Sequence, residues 1–244
     1  VQAVPLESCL EVLMRLGSNS RLIIAGDPIF QKTGIEKDSA TILREILLGE
    51  EDARVVDLGV KDVIRPGARR GLKFVFEARV RKRTLTELES KIMDSARIYA
   101  PDADILTIIS LVEEKKEYEI TSPHTPDALI IVKEGHLGRL VGRGGERINK
   151  LEEEVGLRIR GIELTLDFKE LVRAIHPVSW IHKHVIDADF AGPNMVFKVR
   201  SSEFGPFVGQ KGFYVKFMDL VLRKLIGVGA RALEVEEKRR RRKR

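Results

Sequence analysis

"GRLVGRGGERINKLEEEVG" (residues 138–156) sets three glycines and an arginine between a short apolar turn and a long amphipathic run. A G-x-x-G loop in that position has almost no Cβ atoms, so a phosphodiester group can approach the backbone N–H groups closely. The N–H groups at the start of the second helix carry the positive end of the helix dipole, which favours an anion there. Gly142, Gly144 and Gly145 then clear the approach, and Arg143 supplies charge, flanked by Arg139 and Arg147. Residues Glu146 to Val155 read as the helix, and Leu140, Val141, Ile148 and Leu151 as the lining of an apolar groove for unstacked bases.

Working outward, residues 84–99 read as a helix stopped by Pro101, "DILTIISLVEE" as an alternating strand, "ITSPHTPD" as a loop and "ALIIVKE" as a second strand. "GHLGRLVG" is a short helix, and "LRIRGIEL" a strand after the long helix. The order helix, strand, strand, helix, helix, strand returns further on. A helix near 167–174 precedes "WIHKHVIDADF" and "NMVFKVR" as strands, "SEFGPFVG" as a short helix, "FYVKFMDLVLRKLIG" as a long one and "RALEVEE" as a last strand. "LVGRGG" falls on "FVGQKG" with 67 residues between Gly142 and Gly209, which an internal duplication explains. The second loop, Gly209-Gln210-Lys211-Gly212, has Phe207, Phe213 and Tyr214 where the first has Leu140, Glu146 and Arg147. Those rings would either stack on bases or pack against the first module.

With its surrounding elements, "LVGRGGERINKLEEEVGLRI" resembles the KH family of single-strand nucleic-acid binders, whose loop clamps about four nucleotides. The helix and strand placed before the core are similar to the type II arrangement. That resemblance implies a three-stranded mixed sheet backed by three helices in each copy, and single-stranded RNA as partner. The RNA-binding residues it implies are Arg139, Gly142, Arg143, Gly144, Gly145 and Arg147 in the first copy, and Gly209, Gln210, Lys211 and Gly212 in the second.

The front of the chain has a different pattern. Residues 6–16 and 37–48 read as helices ending at Gly17 and Gly49, "RLIIAGD" and "ARVVDLG" as short buried strands, and the basic segment near 68–83 as a helix. "SRLIIAGDPIFQKTG", an apolar strand ending in Gly26-Asp27 with Gln31 four residues on, is similar to the strand and glycine–aspartate–glutamine motif of PhoH-like ATPases and their superfamily 1 helicase relatives. "KDVIRPGARRGLKFVFEA" looks like the same family's arginine segment, with Arg65 at its arginine. The resemblance implies that Gly26, Asp27, Gln31 and Arg65 sense or contact nucleotide phosphates. It also places Val1-Gln2 at the end of the family's acidic box, so that the chain would begin just past it. No G-x-x-x-x-G-K-[ST] occurs in the 244 residues. ATP and magnesium are therefore implied as cofactors of a complete protein and not of this chain, and residues 1–80 are expected to be poorly stable alone because a strand cut from a parallel sheet exposes apolar faces.

Composition agrees with a globular chain: 43% of residues are hydrophobic and 33% charged, with a net charge of +6. The seven residues "KRRRRKR" at 238–244 are all basic, and residues 61–83 hold nine basic side chains against Asp62 and Glu77, so a polyanion partner is expected. The single cysteine, Cys9, fits a reducing compartment, and no apolar run reaches the ~20 residues of a membrane helix, which predicts a cytoplasmic protein with no membrane partner. His176, His182 and His184 cluster near Trp180, with His182 and His184 on one face of a strand, which is a weak metal signal; "VEEKKEYE" at 112–119 reads as a strand end and hairpin.

The expected fold is α/β in α+β modules: a piece of a P-loop ATPase parallel sheet over 1–80, two type II KH domains over 84–164 and 166–237, and a basic tail over 238–244. The expected function is binding of single-stranded RNA through tandem loops, as part of a PhoH-like ATPase that remodels RNA. Two alternatives remain: an ATP-dependent RNA helicase whose P-loop is supplied from elsewhere, and a scaffold in ribosome biogenesis or transcription. RNA against DNA, the base preference and the oligomeric state stay open.

Overall fold

The computed structural model describes residues 4–27, 29 and 38–236. Gln31 and the basic tail lie outside the described residues. Among the described residues no helix is long and apolar enough to cross a membrane.

Two modules repeat one plan. The first runs α4 (Glu87–Tyr99), β1 (Ile105–Ser110), β2 (Ala128–Val132), α6 (Leu137–Val141), α7 (Glu146–Val155) and β3 (Ile159–Glu163), with a short α5 (Val112–Glu117) inserted after β1. The second runs α8 (Lys169–Ile175), β4 (Val185–Ala191), β5 (Asn194–Arg200), α9 (Ser201–Val208), α10 (Phe213–Ile226) and β6 (Gly229–Val235). Each sheet has three strands in chain order, the first pair antiparallel and the second parallel, so both are mixed. Local chemistry sets the boundaries. Thr86 and Glu89 cap the start of α4 reciprocally, and α7 and α10 stop at Gly156 and Gly227, both left-handed at φ +67° and +70°.

β1 and β2 are buried on both faces, as their nearly unbroken apolar sequences require. Ile108, Ile130 and Val132 join Ile92, Ala96, Leu140 and Leu151 under the module's own helices. Leu106, Ile109, Leu129 and Ile131 join a second cluster that holds Phe197, Phe217 and Leu225 of the other module together with Phe76 and Val80. Those last two sit on α3 (Pro66–Arg81), the basic helix, which starts with Pro at its first position. The Phe76 ring stacks on Phe190 (5.7 Å) and meets the edge of Phe168 (5.9 Å), while Arg79 donates to the Ile226 and Ile29 carbonyls. The turn at 59–62 also docks on the second module, where Asp189 accepts from the Val60 and Lys61 N–H groups (2.7 and 3.1 Å).

Polar contacts fasten the two modules to each other. Lys224 of α10 pairs with Glu114 of α5, and Ser122, Thr125 and Arg160 donate to the Pro177, Ile175 and Ala174 carbonyls. Arg83, between α3 and α4, forms an ion pair with the buried Glu89 (2.7 Å), whose carboxylate also accepts from the Ser110 N–H (2.9 Å).

Several expectations need correction. Residues 21–27 and 54–58 form no strand: a β-ladder needs neighbours, and Ile23, Val56 and Leu58 remain 92%, 61% and 75% exposed. The front segment instead has α1 (Leu6–Met14) and α2 (Ser39–Leu47), the latter capped by Asp38, whose side chain accepts from the Thr41 N–H. Residues 112–117 are helical rather than a strand end, because glutamates in the first turn and lysines in the last favour the helix dipole. His182 and His184 lie in a 3-10 turn before β4, and His182 is bonded to the Ser179 carbonyl. Among the described residues no group of three or more His, Cys, Asp or Glu is placed to hold a metal ion.

Candidate nucleic-acid interface

The start of α6 is fixed before the loop begins. The Glu163 carboxylate accepts from the Gly135 and Leu137 N–H groups (3.0 and 3.3 Å), and His136 Nδ1 accepts from the Asp104 N–H (3.0 Å). Leu140 then drops into the core at 1% exposure, as does Leu151 one helix later. Neither lines a groove. Only Val141 and Ile148 of the expected apolar lining stay half-buried. The spacing that suggested a groove is the spacing with which these helices reach their own sheet.

The loop itself has glycine-only geometry. Gly142 sits at φ +76°, ψ 175°, a region that side chains hardly enter, and a Cβ there would lie 2.7 Å from the Arg147 side chain. Gly144 and Gly145 are left-handed at φ +61° and +85°, and nothing lies within 4 Å of where a Gly144 Cβ would be. Arg143 and Gly144 are exposed, and Arg143 has no ion-pair partner among the described residues. Arg147 has a supporting role as well as a charge. It covers Gly142, donates to the Arg139 carbonyl (2.7 Å) and pairs with Asp102, whose carboxyl it holds below the usual range. Arg139 is exposed and donates to the Asp102 carbonyl (3.3 Å). Asp102 thus gathers two of the three loop arginines. Sequence reasoning missed it, although its place after the helix-stopping Pro101 marked a turn.

The second loop copies this backbone. Gly209 lies at φ +72°, ψ 173° and Gly212 at φ +74°, while Lys211 takes the left-handed conformation of Gly144 at φ +53°. A non-glycine residue pays roughly 1–2 kcal/mol for that conformation. Gln210 and Lys211 are exposed, with the Lys211 ammonium 5.8 Å from the Phe213 ring. The aromatic residues turn inward. Phe207 is fully buried, Tyr214 covers Gly209, and Phe213 meets Tyr118 of the first module edge-on (5.9 Å). His176 packs beneath them, stacked on Phe207 and edge-on to Tyr214. It accepts from the Val178 N–H at Nδ1 and donates from Nε2 to the Phe207 carbonyl, and burial pushes its pKa down to about 4. Of the three rings, Phe213 packs against the first module, while Phe207 and Tyr214 pack within the second.

Of the expected nucleotide residues, Gly26, Asp27 and Arg65 fall within the described residues. Asp27 accepts from the Ile29 N–H (3.1 Å) and supports the positive charge of Arg79, which burial otherwise disfavours. Gly26 is exposed, and Arg65 is exposed at the N-cap of α3.

Residues 1–77 match the family of PhoH-like proteins, and residues 106–174 match the KH domain family. A crystal structure of a protein named APE1850 is 25% identical over 62% of this chain and 100% of that one, with a TM-score of 0.41. No curated protein matches the chain. The chain therefore joins a PhoH-like stretch to a KH domain.

Proposed function

We propose that the chain binds single-stranded RNA, with the loop Gly142–Gly145 as its principal contact. One observation supports this above the others: within a matched KH domain, an exposed arginine and an exposed left-handed glycine stand together between two helices, and nothing lies within 4 Å of where a Gly144 Cβ would be. Backbone N–H groups and Arg143 hold the phosphates, and Val141 and Ile148 offer apolar surface beside them. The second module has the same strand order and loop backbone, so it is read as a second KH copy. Its exposed Gln210 and Lys211 serve phosphate contact, whereas Phe213 and Tyr214 are half-buried against Tyr118 and His176.

The PhoH-like stretch suggests an ATPase family. In a protein that has a P-loop, RNA held by the loops would be what ATP hydrolysis acts on. For the chain itself the reading is binding without catalysis. The test is a titration by fluorescence anisotropy with a labelled mixed-sequence RNA, single-stranded and as the duplex with its complement. Binding at least tenfold tighter to the single strand is expected, because paired bases cannot be splayed along a KH groove. Equal affinity for the duplex would reduce the interaction to charge alone and overturn the reading.

A further inference from the structure

Residues 61–83 carry the densest positive charge among the described residues, and α3 displays it unevenly. Its buried side anchors the helix through Phe76 and Val80. Its outer side exposes Arg65, Arg69 and Arg70, none of which has an ion-pair partner among the described residues. Beside them Phe74 is 60% exposed. An exposed ring flanked by arginines offers a face on which a base can stack.

Phe74 also forms one wall of a groove of about 260 Å³ between α3 and the end of the first sheet, with Arg70, Lys73, Leu106, Lys133 and Leu164 around it. The volume is below the ~300–1,000 Å³ of a small-molecule pocket, which suits a flat group laid over α3 better than an enclosed ligand. The groove is not purely cationic: Glu134 pairs with Lys73, and Glu77 with Arg81.

Its position links it to the loop. Asp104 pairs with Arg81 of α3 and lies 4.0 Å from Lys133, while Asp102, two residues earlier, pairs with Arg147 beside Gly142. The turn at 102–104 thus holds the C-terminal end of α3 against the base of the G-x-x-G loop.

We infer that α3 is a second contact for the same strand: single-stranded nucleic acid leaving the Gly142–Gly145 loop passes the 102–104 turn and stacks a base on Phe74, its phosphates held by Arg69 and Arg70. This rests on the proposed function for the strand's direction, and not for the surface itself. Aromatic stacking flanked by basic side chains is how single strands are held without sequence preference.

The experiment uses the full chain and labelled oligouridylates of about 5 nucleotides, enough for one loop at about four, and about 12 nucleotides. Phe74→Ala and Arg69→Glu/Arg70→Glu are expected to weaken the 12-mer about tenfold and leave the 5-mer unchanged. Phe74→Trp, made in a Trp180→Phe background, is expected to keep the affinity and to show fluorescence quenched by the 12-mer only. Unchanged 12-mer affinity in Phe74→Ala, with no quenching, overturns the inference and leaves Phe74 to a protein partner. Loss confined to loop variants does the same while upholding the loop. Loss in the Phe74 variant with normal binding by loop variants overturns the loop reading and upholds the α3 surface.

Discussion

Replacing Arg143 and Gly144 together by aspartate is expected to lower affinity for a short single-stranded RNA by about a hundredfold. The change amounts to three charges at the point of closest phosphate approach. Each is worth about 1 kcal/mol at 4 Å in water, and about 3 kcal/mol in total is a factor of about a hundred. The fold should survive, since both residues are exposed and aspartate is among the few residues that tolerate the left-handed conformation that Gly144 holds at φ +61°. Anisotropy reads the affinity, and an unchanged urea midpoint shows that the loss is local. The equivalent change at Gln210-Lys211 also amounts to three charges, but it should cost under about tenfold with a strand of about five nucleotides, which fills one loop at about four and leaves the second loop empty. Equal losses at both loops would mean that the modules contribute alike.

Phe76→Ala is expected to destabilise the protein by about 3–5 kcal/mol, the usual cost of deleting a buried phenyl ring. The ring is 2% exposed and lies against Phe168 and Phe190, so the variant tests whether α3 belongs to the body formed by the two modules. Urea unfolding followed by circular dichroism gives the value. A loss under about 1 kcal/mol would mean that α3 stays attached without that contact. Phe74→Ala, two residues away and exposed, should change the unfolding free energy by no more than about 0.5 kcal/mol.

Much of this architecture could be read from residue types. Glycines at 142, 144, 145, 156, 209, 212 and 227 all take positive φ, and their positions in the sequence located both loops and both helix ends. The apolar runs at 105–109, interrupted by Thr107, and at 128–132 showed strands but not what covers their second face. That cover comes from α3 and α10, one on each side in sequence, and pattern reasoning sees periodicity along the chain rather than partners across it. The same limit explains the front segment: "RLIIAGD" has the composition of a strand, and composition cannot supply the neighbour that a ladder needs. At the second loop, Phe213 and Tyr214 were legible as aromatic, but their direction depends on Tyr118 and His176, which lie far away in sequence. Leu140 and Leu151 failed as groove residues for a related reason, since a helix five or ten residues long over a small sheet spends its apolar side chains on its own core.

The measurement that bears most directly on RNA binding at the first loop is amide hydrogen–deuterium exchange on the whole chain, with and without a saturating single-stranded oligouridylate. Slowed exchange in peptides covering 138–148, with weaker protection over 65–75 when the strand is long, is the result predicted. Protection confined to 237–244, with the 138–148 peptides exchanging as in the free chain, would contradict it and assign the binding to the basic tail.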